Sequence, residues 1–346
     1  MDKNLSDKLR VLSSFSIIMV VYIHSYYLEG ETYELNKFIQ NLIGQGICRV
    51  AVPLFFTISG YLFFININDG LTSVLIKIRK RAMTLLIPYI ICNVWFVLVY
   101  VLLHFTPAVA PFVNNDLFGN LLNKDLWSIL SALFVDPAGF HLWFLRDLML
   151  VVLCTPLIYY LMKYMSRITI IVLFFISLWQ QSVYDGFLFA LTWFTAGACL
   201  AVTKTRLQWK EYRYSRIIGI MCLCCLVADS VCRAANIELH FIYYFVTQIL
   251  GVAGIWLLYD HVVNKDLSQM KLLNIVCRYT FFIYLFHEPT LNILKKLPPV
   301  IWGQSAQVYL ICYLVVPWLM IALVTIVGFC LNRFIPKFYS ILVGGR

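Results

Sequence analysis

Leu9-Arg-Val-Leu-Ser-Ser-Phe-Ser-Ile-Ile-Met-Val-Val-Tyr-Ile-His24-Ser-Tyr-Tyr-Leu28 is an apolar run with an arginine, Arg10, near its start and a histidine, His24, near its end. Coiled into a helix at about 1.5 Å per residue, a run of this length matches the hydrocarbon thickness of a bilayer. Ionisable groups are costly at membrane depth, so a histidine kept there points to a functional site. The spacing of Arg10 and His24 is close to four helical turns, which sets both on one face together with Ser13, Ile17 and Val20. A face with a cationic start and a titratable deep end suits proton chemistry against a protein interior. Turned toward lipid it would only be a cost.

The rest of the chain has the same character. It has 346 residues, 62% hydrophobic and 13% charged, with a mean hydropathy of +0.82. A soluble domain of this size needs far more charge to cover its surface. The composition therefore predicts an all-α, polytopic membrane protein. About ten transmembrane helices are expected over residues 9–28, 47–67, 82–105, 140–162, 168–183, 187–202, 217–235, 239–259, 272–294 and 308–334. The first is read as a retained signal anchor, because no small-residue cleavage site follows it.

Ten spans leave both termini on one side, and that side then holds nineteen of the 27 Lys and Arg residues, against five on the other. The positive-inside rule assigns the basic side, and with it both termini, to the cytoplasm. The net charge of +10 is thereby a topogenic signal, and nucleic acid is not an expected partner.

No linker, low-complexity tract or internal repeat divides residues 1–346, so one membrane domain is expected. The longest outer loop, about Thr106 to Gly139, contains an alternating stretch from Leu117 to Val135 that reads as a surface helix, roofing a cavity or serving as a connector. The eleven cysteines are scattered through apolar segments. Cys222, Cys224 and Cys225 cluster without a histidine at ligand spacing, so no metal is expected.

Three further segments carry chemistry-bearing residues. In Arg49-Val-Ala-Val-Pro-Leu-Phe-Phe-Thr-Ile-Ser-Gly-Tyr, the residues Arg49, Pro53, Phe56 and Gly60 share a helix face. This is either a kinked packing helix or one that brings Arg49 to a site. Phe140-His141-Leu-Trp143-Phe-Leu-Arg146-Asp147 opens the fourth span, as an aromatic anchor with an ion pair or as a wall of a substrate cavity. Tyr284-Leu-Phe-His287-Glu288-Pro289 marks an interrupted helix with an available carboxylate. On the cytoplasmic face, Lys77-Ile-Arg79-Lys80-Arg81 reads as a basic loop suited to the phosphates of a nucleotide-like donor, or to topology alone. The basic, aromatic stretch Lys204 to Arg216 is a second candidate for either role. His104, His240 and His261 border loops and carry no assignment.

Taken together, these segments resemble the integral-membrane acyltransferase-3 family, which O-acylates surface polysaccharides and other extracytoplasmic acceptors. The resemblance rests on Ile18-Met-Val-Val-Tyr-Ile-His24-Ser25, Val52-Pro-Leu-Phe-Phe-Thr-Ile-Ser-Gly60, the basic stretch leading to Leu86-Ile-Pro88-Tyr89, His141-Leu-Trp143 and Ile283-Tyr-Leu-Phe-His287. They occur in the family's order from the first span to the ninth. The family usually pairs its first-span histidine with an arginine eleven positions earlier. Ser13 holds that position here, and Arg10, one turn nearer the cytoplasm, is the substitute expected.

The resemblance implies an acyl-CoA-dependent O-acyltransferase of the bacterial inner membrane, with acetyl-CoA or another acyl-CoA as co-substrate. Its catalytic residues are expected to be His24, Arg10 and Arg49. His141, Arg146, His287 and Glu288 are expected around the acceptor or behind the catalytic groups, and Arg79, Lys80 and Arg81 at the CoA phosphates. The expected partners are acyl-CoA, a glycan or other hydroxyl acceptor and membrane lipids, with a homodimer left open. A proton-coupled transporter of a small polar molecule or polysaccharide is the competing reading, since a titratable histidine facing a cavity suits that as well.

Overall fold

The computed structural model describes residues 3–67, 70–106, 135–181, 185–205, 207, 214–237, 241–263 and 267–345. The predicted surface helix of the long outer loop, most of the second basic stretch and His240 lie outside these residues. The elements are α1 (Lys3–His24), α2 (Glu34–Gln40), α3 (Ala51–Phe64), α4 (Leu71–His104), α5 (Trp143–Leu153) and α6 (Thr155–Trp179). They continue with α7 (Phe187–Val202), α8 (Ser215–Ala234), α9 (Phe241–Val262), α10 (Lys271–Trp302), α11 (Ala306–Phe334) and α12 (Pro336–Leu342). Among the described residues there is no strand.

Length and apolarity mark six stretches as able to cross a bilayer: Glu34–Phe64, Leu71–His104, Thr155–Trp179, Ser215–Ala234, Phe241–Val262 and Ala306–Phe334. The ten expected spans are not all recovered by that criterion. Charged residues and serines dilute α1, α7 is short, and α10 carries Arg278, Glu288 and Lys295. Where the sequence suggests a break between its fourth and fifth spans, the backbone of α6 leaves helical geometry at Met165, between Lys163 and Arg167.

The basic stretch differs from its expectation. Lys77 to Arg81 is not a loop; it lies inside α4, a helix of 34 residues. The chain reverses earlier, around Gly70, whose φ of +70° suits a residue without Cβ. Arg79 and Lys80 are exposed, and Lys77 donates to the carbonyl of Phe63 at 2.6 Å.

Two contacts decide where α1 stands. At its first turns Lys8 is buried, and its Nζ donates to Asp260 Oδ2 at 2.8 Å and to the carbonyl of Leu207 at 2.9 Å. Higher up, the hydroxyls of Ser14 and Thr280 hydrogen-bond, joining α1 to α10. Beside α1, α3 crosses α7 with backbones in contact. A Cβ on Gly60 would fall 1.9 Å from the Phe194 carbonyl oxygen, and one on Gly197 would fall 1.9 Å from that of Thr57. Small residues at a helix crossing allow this approach, and close packing is a main source of helix association in lipid. By contrast, α6, α8 and α11 leave Ile171, Phe175, Met221, Trp318, Leu319 and Ile326 exposed, the surface a hydrocarbon solvent would cover.

Both ends of the chain gather at one end of the bundle. Arg10 reaches Asn274 at 3.4 Å, and Tyr339 of α12 packs edge-on against Tyr279, one turn and a half further along α10. His24 closes the other end of α1.

Candidate active site

The C-terminal end of α1 opens into a cavity of about 340 Å³ between α1, α3, α5 and α10, with Asp185, two residues before α7, on its wall. Its apolar wall includes Ile17, Val20, Val52, Phe55 and Phe144; its polar groups are His24, Gln45, Arg49, His141, Asp185 and Tyr284. The stripe of Ile17, Val20 and His24 expected on one face of the first helix is the stripe that lines this space. An apolar chamber with a few convergent polar side chains is the usual form of a small-molecule site.

Arg49 comes to the cavity on an irregular segment. Between α2 and α3 the backbone passes through a π turn, Asn41–Gly46, and a 3₁₀ turn, Ile47–Val50. Gln45 and Arg49 are both displayed there, and Gln45 Oε1 accepts from Arg49 Nε at 3.0 Å and also from Nη2. The amide thus fixes the plane of the guanidinium.

His141 is held by an interruption in α10. Pro289 has no N–H, so the carbonyl of Leu285, four residues earlier, loses its helical donor. That oxygen takes other partners: it accepts from Cys92 Sγ at 2.8 Å and from His141 Nε2 at 3.2 Å. The Tyr284 hydroxyl donates to the backbone carbonyl of His141 at 3.0 Å. On its far side, Asn93 Oδ1 accepts the N–H of Gly139 at 3.0 Å and fixes the turn that carries Phe140 and His141.

His287, on α10, is fully buried, and its Nδ1 lies 2.7 Å from the carbonyl of Tyr284. A carbonyl only accepts, so this nitrogen carries the ring proton and Nε2 is bare. By the same argument His141 is protonated at Nε2 and bare at Nδ1. Both bare nitrogens are buried without a hydrogen-bond partner. The ring centroids of His141 and His287 are 4.9 Å apart, those of His24 and His287 are 5.4 Å apart, and Phe140 packs edge-on against His24 at 5.2 Å. Three imidazoles from α1, the turn before α5 and α10 therefore form one cluster. Among the described residues, no group of three or more His, Cys, Asp or Glu side chains is arranged to hold a metal ion.

Other residues singled out in the sequence lie elsewhere. Arg10 is exposed at the opposite end of α1, beside Asp7 at 3.8 Å, and the structure does not bring it to His24. Arg146 faces away from the cavity: its Nε donates to the buried Asp147 at 2.8 Å, and its Nη1 to the carbonyl of Val135. Glu288 is buried next to His287, where its Oε2 accepts from Asn292 at 2.7 Å. Gln45, Asp185, Cys92 and Tyr284 were not singled out as site residues. Of these, Cys92 and Tyr284 had a usable signal, being polar groups within otherwise apolar spans.

The model of an acyltransferase domain, that of the acyltransferase-3 family, matches residues 8–335. The chain belongs to the acyltransferase-3 family. Within this family it is similar to the succinoglycan biosynthesis protein ExoH of Rhizobium meliloti (strain 1021), at 22% identity over all of this chain and 94% of that protein. No solved structure matches. The chain is thus a multi-pass membrane acyltransferase, and the resemblance carried by His24, Gly60, His141 and His287 is borne out at the level of the family.

Proposed function

We propose that this acyltransferase moves an acyl group, acetyl in the simplest case, from cytoplasmic acyl-CoA to a hydroxyl of an extracytoplasmic glycan. His24 is its general base. The observation that carries the reading is the placement of His24 on the wall of the cavity, with Arg49, Asp185 and Gln45 as its polar companions. The glycan acceptor is supported by the similarity to a protein named for succinoglycan biosynthesis.

In this mechanism the acceptor hydroxyl gives its proton to His24 as its oxygen attacks the thioester carbonyl carbon. General-base assistance of this kind is typically worth about 10²- to 10⁴-fold. The Arg49 guanidinium, steadied by Gln45, faces the negative charge that develops on the carbonyl oxygen. As the C–S bond breaks, the imidazolium returns the proton to the leaving thiolate, so the cycle has no net proton demand. Asp185 accepts hydroxyl hydrogens of the acceptor. Arg79, Lys80 and the half-buried Arg81 hold the CoA phosphates from their places on α4, in the cytoplasmic membrane of a bacterium.

The test uses the full chain in proteoliposomes with radiolabelled acetyl-CoA and a glycan acceptor. The wild-type protein is expected to release free thiol and label the acceptor. His24→Ala is expected to lose at least 100-fold in rate while inserting normally. Undiminished turnover by that variant would refute the role of His24. A wild-type protein inert toward acetyl-CoA, but accumulating a polar solute under a proton gradient, would favour the transport reading.

A further inference from the structure

Two facts about the imidazole cluster are unused by that mechanism. The bare Nε2 of His287 and the bare Nδ1 of His141 are buried acceptors without partners. Leaving such an acceptor unsatisfied is costly, and native interiors seldom tolerate it. Both rings are also anchored through their other nitrogen to carbonyls of the same helical turn, Tyr284 and Leu285. Neither ring can change tautomer without giving up that hydrogen bond. The cluster is therefore built to present acceptors, and His24, 5.4 Å from His287 between ring centroids, is the adjacent group able to supply a ring N–H.

We propose that His287 is the positioning residue for His24, accepting at Nε2, through one water molecule, the proton on the nitrogen of His24 that faces away from the substrate. A water offers two donors and accepts in turn. It receives the N–H of His24 and donates one hydrogen to His287 Nε2. Its second hydrogen serves His141 Nδ1, the other bare acceptor of the cluster. The arrangement fixes which nitrogen of His24 is protonated and leaves the opposite one bare toward the cavity, where the acceptor hydroxyl must lose its proton. No proton passes to His287 or His141: the hydroxyl proton goes to the bare nitrogen of His24 and from there to the departing thiolate. The carboxylate of a hydrolytic triad does this work with a full negative charge. Here a neutral imidazole does it, which avoids placing an anion behind the base in a low-dielectric interior.

The inference rests on His24 being the base, so the experiment separates the two ideas. Two substitutions of His287 divide its functions. Asn is short, keeping a polar atom near the Nδ1 position to meet the Tyr284 carbonyl but offering nothing at Nε2. Gln reaches further and restores an acceptor there. Thiol release from labelled acetyl-CoA is measured with the full chain in proteoliposomes, alongside His24→Ala and with CoA-binding titrations to show that each variant is folded. His287→Asn is expected to lower kcat about 100-fold with KM for acetyl-CoA unchanged, the upper end of losses seen when an orienting partner is removed. His287→Gln is expected to recover to within about tenfold of wild type, with a solvent deuterium isotope effect on kcat like that of the wild type. Equal kcat in the Asn and Gln variants, or a KM that moves in step with kcat, overturns the proposal. An inactive His24→Ala beside a fully active His287→Asn overturns this inference alone, whereas an active His24→Ala overturns the reading beneath it.

Discussion

Lys295 Nζ, on the part of α10 beyond its break, donates to the backbone carbonyl of His24 at 3.3 Å and to that of Tyr26 at 3.2 Å. The last carbonyls of a helix have no intrahelical donor, and a cation at a helix C-terminus also meets the negative end of the macrodipole. The ammonium thus ends α1 where the proposed base stands. The break at Glu288, where φ is −105° and ψ is 139°, sets the course of the segment that carries Lys295. The same interruption frees the Leu285 carbonyl for His141. A single irregularity in α10 therefore helps place two of the three imidazoles.

Replacing Lys295 by Met is expected to lower acyl transfer about tenfold and to reduce thermal stability in detergent, because hydrogen bonds from a charged donor are worth roughly 1.5–3 kcal/mol. Lys295→Arg keeps the donors and should retain most activity. Turnover and the unfolding midpoint, measured on the same preparations, distinguish lost positioning from general unfolding. A Met variant with wild-type turnover would remove Lys295 from the account.

The crossing of α3 and α7 gives a sharper structural prediction. A Cβ at Gly197 would lie 1.9 Å from the Thr57 carbonyl oxygen, inside any van der Waals limit, so the helices must separate. Overpacking typically costs about 1–3 kcal/mol, and a clash with backbone on a helix crossing belongs at the upper end. Gly197→Ala should therefore lower the unfolding midpoint, and separation of α3 should also disturb Arg49, which enters the cavity just before that helix. Chromatographic monodispersity after heating reads the first effect. An Ala variant as stable as the wild type would mean the two helices are not in backbone contact.

A double-mutant cycle tests the anchor at the other end of α1. Lys8 is 1% exposed and Asp260 is 10% exposed, with 2.8 Å between Nζ and Oδ2. Removing one member of a buried pair strands the other charge and typically costs about 3–5 kcal/mol, while removing both is often close to neutral. Lys8→Met and Asp260→Leu should each destabilise strongly, and the double variant should be more stable than either single one. Unfolding midpoints that simply add would show that the two groups do not interact.

How much of this was legible in the sequence differs from residue to residue. The apolar composition gives an all-helical membrane protein, and the spacing of Ile17, Val20 and His24 gives the face that lines the cavity. Glu288-Pro289 announces the interrupted helix, since proline removes a donor wherever it stands. What the interruption serves was not legible, because the partner of the freed carbonyl, His141, is 144 positions away in the chain. Arg10 was read as a site residue from its helical phase with His24 and as the substitute for the family's arginine, and Arg146 from its charge beside His141. Phase says nothing of height along a helix, though, and Arg10 stands about 21 Å below His24 at 1.5 Å per residue. Lys8, read as a topogenic charge, is a buried anchor, because Asp260 approaches it from α9, far along the chain. The basic stretch of α4 was placed at the right end of its span but in the wrong local structure. A run of Lys and Arg residues is as compatible with an extended helix as with a loop.

That basic stretch supports the last prediction. Arg79 and Lys80 are exposed on α4, and Arg81 is half-buried one position further along. If they hold CoA phosphates, they bind substrate and transition state alike, because the phosphates are remote from the thioester and unchanged by the reaction. Uniform binding of that kind lowers KM and leaves kcat alone. Arg79→Ala and Arg81→Ala should therefore each raise KM for acetyl-CoA several-fold with kcat little changed, and wild-type KM should rise with ionic strength because exposed charges are screened. Dephospho-CoA thioesters, lacking one phosphate, should narrow the gap between variants and wild type. Steady-state kinetics across a salt series decides the matter. A loss of kcat at constant KM, or no dependence on salt, would mean that these residues serve topology and that the CoA phosphates are held elsewhere.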